Sequence, residues 1–153
     1  MGSLLRINSI LDESIVDGPG LRYVIYTQGC SHGCPHCHNP KTHDKQGGVL
    51  MDYNLLFREI CEDPLLQGVT FSGGEPFLQA RVLASLANKL HAENLDIVTY
   101  TGYTLEDILD RNDPEMMSLI KETDILIDGR YDHSKRDLSL KFRGSSNQRI
   151  ISL

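Results

Sequence analysis

Strand-like and helix-like segments alternate along this chain, and the alternation constrains its fold more than any other feature. Leu21 to Thr27, LRYVIYT, is β-branched and aromatic and predicts a strand leading into Gly29. Asp52 is the predicted N-cap of a helix, DYNLLFREICED, with Leu56 and Ile60 at helical spacing and Pro64 marking its end. Gly68 to Ser72, GVTFS, predicts a buried strand; the turn GGEP follows, then a helix in which Leu78, Val82, Leu86 and Leu90 recur every four residues. Leu95 to Thr101 repeats the strand, with Gly102 as its turn. Thr104 to Asp107, TLED, forms a capping box with Asp in place of Glu. Asp113 and Pro114 open a further helix, Asp124 to Asp128 is a strand, and the terminal QRIISL is a candidate closing strand. Such alternation predicts an α/β fold with a mostly parallel sheet and right-handed crossovers. A complete eightfold barrel takes about 250 residues. A chain of 153 residues therefore predicts a compact, incomplete (β/α) barrel, with residues 1–153 as a single domain.

Asp132 to Gln148 lacks a clear period and reads as loop, and its Lys135, Arg136, Lys141 and Arg143 form either a solvated surface or a partner contact. The hydrophobic content of 40% and charged content of 24% are those of a soluble globular protein. No apolar run approaches the roughly 20 residues of a membrane span, and MGSLLRINSILDES lacks the apolar core and cleavage site of a signal peptide. These features predict a cytoplasmic protein with no membrane partner, in which clustered cysteines serve metal or redox chemistry rather than disulfides. A net charge of -6 weighs against nucleic acid as a partner.

The cysteines gather after the first predicted strand. YTQGCSHGCPHCHNP, Tyr26 to Pro40, holds Cys30, Cys34 and Cys37 in the spacing C-x3-C-x2-C, with His32, His36 and His38 among them and His43 nearby. Two metals remain open on the spacing alone. Zinc would take the three thiolates and one histidine in a closed tetrahedron. A [4Fe-4S] cluster ordinarily takes four cysteinates, so three would leave one iron open to substrate. Cys61 lies on a predicted helix and reads as a small buried residue, with a fourth ligand as the alternative.

C-x3-C-x2-C after the first strand and SGGEP after the next resemble the radical S-adenosylmethionine enzymes. VDGPGLR, CHNP, TGYTLED, LIDGRY and FRGSSNQRII narrow the resemblance to activating enzymes of anaerobic ribonucleoside-triphosphate reductases, across nearly the whole chain. The resemblance implies a [4Fe-4S] cluster on Cys30, Cys34 and Cys37, whose open iron takes the amino and carboxylate groups of S-adenosylmethionine. One electron then cleaves the sulfonium, and the resulting 5'-deoxyadenosyl radical takes a hydrogen atom from a backbone glycine of the reductase. It also implies a low-potential electron donor such as flavodoxin or ferredoxin.

Site residues follow from the same resemblance. Ser72, Gly73, Gly74 and Glu75 form the turn that holds the methionine amino group, and His36, Cys37 and His38 run beside the adenine. Arg130 either pairs with the methionine carboxylate or forms a rim salt bridge with Asp128. Asp17 and Gly18, in DGPG, either lie near the docked glycine loop or make a plain turn. FRGSSNQR is expected at the mouth of the site, with Thr101 and Tyr103.

Overall fold

The structure, a computed structural model, describes residues 2–30, 32 and 43–153. A seven-stranded sheet comprises β1 (Leu4–Ser14), β2 (Arg22–Thr27), β3 (Val49–Asp52), β4 (Gly68–Gly73), β5 (Asp96–Tyr100), β6 (Ile125–Asp128) and β7 (Arg149–Ser152). Their spatial order is β3-β1-β2-β4-β5-β6-β7. β2, β4, β5 and β6 are parallel neighbours, whereas β1, β3 and β7 are attached antiparallel at the flanks. The helices α1 (Tyr53–Cys61), α2 (Ala80–His91), α3 (Leu105–Arg111) and α4 (Pro114–Glu122) lie in the connections between the parallel strands.

The parallel centre is the incomplete (β/α) arrangement that the alternation predicts, and the closing strand in QRIISL is β7. β1 is absent from that expectation for a physical reason. Of its residues only Leu5, Ile7 and Ser14 are buried, and the register with β2 shifts between Ile7 and Ser9 and again between Leu11 and Ser14. Irregular pairing removes the period of two that marks a strand in sequence. β3 is short and on the edge of the sheet.

Alternation along the parallel strands gives the sheet two different faces. Tyr23, Ile25, Val69, Phe71, Ile97 and Leu126 point toward the helices, where Leu56, Ile60, Leu83, Leu86, Leu90 and Leu119 complete the core. The intervening residues Val24, Thr70 and Val98, then Tyr26, Ser72 and Tyr100, line the other face. Arg22 sits at the start of this second set and is fully buried. Its guanidinium donates to Thr70 Oγ1 at 2.8 Å and to the carbonyls of Pro19, Val69 and Asp96 at 2.9, 3.1 and 3.1 Å. It also pairs with the Asp96 carboxylate at 2.5 Å. One side chain thereby ties the N-terminal ends of β2, β4 and β5, a use of charge that burial permits only when the donors are matched.

The predicted helix caps are present. The side chains of Asp52, Thr104 and Asp113 accept from Asn54, Asp107 and Glu115 backbone N–H groups at 2.9, 3.1 and 2.8 Å. Two expectations are corrected. Leu78 precedes α2, in a 3-10 turn at Pro76–Gln79, and is 41% exposed. Cys61, expected in the core, is exposed at the last position of α1. The buried face of α1 is set by Leu56 and Ile60, four apart, and the next residue is turned away from it by about 100°.

His91 joins the end of α2 to the end of α4 and the segment entering β6. Its ring contacts Glu122 Oε1 at 3.0 Å and Asp124 Oδ2 at 2.8 Å, while Asp124 also accepts from Ile97 N at 2.7 Å. Partial burial opposes charge on the ring, but the hydrogen bonds to Asp124 and Glu122 and their charges outweigh it and raise the imidazole pKa. A raised folded-state pKa stabilises the fold fully below the ordinary histidine value, about 6.5, and the contribution is lost as pH rises through the folded value. Urea midpoints should therefore separate wild type from His91→Gln most below about pH 6, and the separation should shrink on raising the pH to about 9.

Candidate active site

The C-terminal ends of β2, β4, β5 and β6 share one rim, and a cavity of about 710 Å³ opens there. Such a volume suits a nucleoside-sized ligand. Cys30, Ser72, Gly73, Gly74, Thr101 and Arg130 all line it. Segment 129–148 folds over its far side, with Phe142, Arg143, Gly144 and Gln148 in the wall, so FRGSSNQR reaches the mouth as expected. Thr101 lines the cavity, whereas Tyr103 does not and packs against the ring of His32, which does.

Backbone geometry explains the glycine turn. Gly73 has φ of 96°, and a Cβ there would lie 2.5 Å from the Thr27 nitrogen. Only glycine meets both demands. The turn is fastened to the root of the cysteine loop, since Gly74 N donates to Thr27 O at 2.9 Å and Glu75 N donates to Gly29 O at 2.7 Å. The two described ends of that loop are joined by Cys30 N and His43 O at 3.2 Å. Cys34, His36, Cys37 and His38 lie outside the described residues.

Glu75 is placed differently from Ser72, Gly73 and Gly74. It is fully buried and does not line the cavity. Its carboxylate accepts from Phe77 N at 3.1 Å, Thr101 Oγ1 at 2.8 Å, Gly102 N at 2.7 Å and His32 Nε2 at 2.5 Å. The side chain is committed to the rim itself, which leaves the backbone of the turn, rather than this carboxylate, toward the cavity. The sequence offered no sign of it beyond an acidic residue after two glycines.

Asp128 and Arg130 do not pair. Asp128 is buried and its carboxylate takes Arg149, with Nε to Oδ1 at 2.9 Å and a second contact from the same guanidinium, and also the Leu105 N–H at 2.8 Å. Arg149 bonds Glu106 as well, at 2.6 Å. β7 thereby supplies the cation that the sequence reading sought in Arg130. Arg130 is exposed on the cavity wall, and among the described residues no acceptor takes its guanidinium.

Asp17 and Gly18 separate in the same way. Asp17 lines the cavity and accepts from Ser14 Oγ at 2.6 Å. Gly18, at φ 134°, is buried beneath it, where a Cβ would be 2.8 Å from Arg22 Cδ and 3.1 Å from Val98 Cγ2. Of the DGPG segment, Asp17 alone lines the cavity, and Gly18 packs beneath it. Burial raises the Tyr26 and Tyr100 phenol pKa values, and the Asp17 charge raises them further, so both hydroxyls remain protonated at neutral pH. Tyr100 OH donates to Phe142 O at 2.7 Å and holds the covering segment down.

Comparison with known proteins gives this arrangement its relatives. Residues 16–151 match the family described as a 4Fe-4S single cluster domain. The anaerobic ribonucleoside-triphosphate reductase-activating protein of Haemophilus influenzae is 32% identical over 89% of this chain and 90% of its own length. Its counterpart from Enterobacteria phage T4 is 33% identical over 97% of this chain and 94% of its own. The chain belongs to the anaerobic ribonucleoside-triphosphate reductase-activating protein family. Among solved structures, QueE from Escherichia coli has a similar fold, with a TM-score of 0.52 at 20% identity over 66% of this chain. The match spans about half of that structure, 54% of its chain.

The residues of this activating-protein family member suit a [4Fe-4S] group. Cys30 supplies a thiol on the cavity wall, at a strand end whose neighbouring turn lacks side chains at Gly73 and Gly74. Cys61 is outside the cavity, and partial desolvation together with the Glu93 charge pushes its thiol pKa up, away from the thiolate that a metal requires.

Tyr100→Phe should free the covering segment while leaving the sheet intact. Loss of one hydrogen bond worth about 1 kcal/mol corresponds to about fivefold faster opening, read as amide hydrogen exchange across residues 129–148.

Proposed function

We propose that this protein activates anaerobic ribonucleoside-triphosphate reductase by placing a glycyl radical on it. The observation that carries the reading is the meeting of Cys30 and the Ser72 to Gly74 turn on one cavity wall, in a chain of this family. Cys30, Cys34 and Cys37 would hold the [4Fe-4S] cluster. When bound, the cluster and S-adenosylmethionine supply reductive cleavage of the sulfonium and the hydrogen abstraction that follows.

The chain's own residues bind and orient. The backbone of Ser72, Gly73 and Gly74 offers polar groups to the methionine end without steric bulk. Arg130, whose guanidinium no acceptor among the described residues takes, donates to the methionine carboxylate in this reading, where a planar fork suits two oxygens. In this reading His36, Cys37 and His38 would contribute the contacts to the adenine. Ile15, Val16 and Asp17 form the side from which the reductase's glycine segment enters, and Gly18 supports them from below. Phe142 and the covering segment exclude water from the reacting centre. The setting is an anoxic cytoplasm, residues 1–153 work as one domain, and the electron comes from a low-potential donor of the flavodoxin or ferredoxin kind. No helix among the described residues is long and apolar enough to cross a membrane.

Anaerobic reconstitution should give about one cluster per chain, with 5'-deoxyadenosine formed on adding dithionite and S-adenosylmethionine and a glycyl radical signal on adding the reductase. Single Ala replacements of Cys30, Cys34 or Cys37 should abolish cleavage, and Cys61→Ala should retain it. Zinc in place of iron and sulfide would overturn the reading. Arg130→Gln should weaken S-adenosylmethionine binding about tenfold or more, the loss expected for one charged hydrogen-bonding partner, with cluster content unchanged.

A further inference from the structure

We propose that His32 is a positioning residue, and that its bond to Glu75 is the latch that seats the cysteine loop on the rim. The inference rests on the assignment of Cys30, Cys34 and Cys37 as cluster ligands, and adds a side chain that decides where the first of them stands.

The Glu75 carboxylate is held mainly by the rim. Three of its four donors belong to the rim: Phe77 N in its own turn, and Thr101 Oγ1 and Gly102 N after β5. The fourth, His32 Nε2, comes from the cysteine loop, at 2.5 Å. Since the carboxylate accepts, Nε2 carries the hydrogen. Both partners are out of water, with side-chain exposures of 4% for His32 and 0% for Glu75.

The slot around the imidazole is shaped for it. A Cβ on Gly102 would lie 2.5 Å from His32 Cδ2, so glycine there makes room for the ring. Tyr103 meets the ring edge-on, with centroids 4.6 Å apart and planes at 76°. Arg111 in turn lies over the Tyr103 ring at 4.8 Å, which fixes that wall. Floor, wall and acceptor come from three different side chains or backbone positions, and they converge on a residue two places after Cys30.

The consequence is geometric. Backbone bonds from Cys30 N to His43 O and from Glu75 N to Gly29 O hold the root of the loop. Beyond the root, the latch sets the direction in which the chain leaves Cys30 and hence the distance of its thiolate from the Gly73 and Gly74 turn. Without it, three cysteines can still assemble a cluster, but its place relative to the bound cofactor is no longer fixed.

The test uses the full chain, reconstituted anaerobically with iron and sulfide, as wild type, His32→Ala, His32→Asn and His32→Gln. Gln places an amide N–H near the Nε2 position, and Asn falls short of it. Cluster loss to a chelator should accelerate about tenfold or more in the Ala and Asn variants, the factor expected for a charge-assisted hydrogen bond, and stay within about threefold of wild type in Gln. The paramagnetic resonance spectrum of the reduced cluster should shift on adding S-adenosylmethionine in wild type and Gln, and much less in Ala and Asn. If wild type holds a cluster and Ala and Asn match it in chelation rate and spectral response, the latch is refuted. The same conclusion follows if Gln fails as badly as Ala, since rescue by the donor is the point of the design. If wild type takes up no cluster, the function proposed above fails, and the latch with it.

Discussion

A carboxylate removed from water must be surrounded by donors, and Glu75 meets that demand by drawing three segments to one point. The turn after β4, the turn after β5 and the cysteine loop would otherwise be separate connections on a sheet edge. Around this group they become a single rim, with the backbone of Gly73 and Gly74 left facing the cavity. The arrangement places charge where it organises loops and leaves the cavity wall to smaller groups.

The opposite ends of the same strands are held by the opposite charge. Arg22 gathers the N-terminal ends of β2, β4 and β5 and the Pro19 carbonyl. Between the two buried ions, the parallel strands are kept in register from both directions, and the residues facing the cavity are positioned by a frame that does not depend on loop stiffness. Gly18, which has no side chain, packs closely against Arg22 and Val98 beneath Asp17.

The sequence disclosed the parts whose signals are local. Caps at Asp52, Thr104 and Asp113 were readable because a cap needs only its own helix, and the parallel strands were readable because both of their faces are covered. β1 escaped because its pairing shifts register and most of its side chains are exposed. Cys61 was misread because hydrophobicity alone does not say on which side of Leu56 and Ile60 a helical residue falls. Glu75, His32 and Arg149 draw their roles from partners 43, 43 and 21 residues away, and no spacing rule announces such contacts. Of GGE, the two glycines line the cavity and the acidic member is buried behind its surface.

The sheet order ends at β3 on one side and β7 on the other, and these two strands are not neighbours. The cavity is bordered by Ile15 to Asp17, which follow β1, and by Leu140 to Gly144, which precede β7. Here the sheet does not close, and the cavity wall at these two borders is made by connecting segments rather than by paired strands. Both borders lie outside the paired strands, so substitutions in Ile15 to Asp17 or Leu140 to Gly144 can reshape the cavity without breaking a strand pairing.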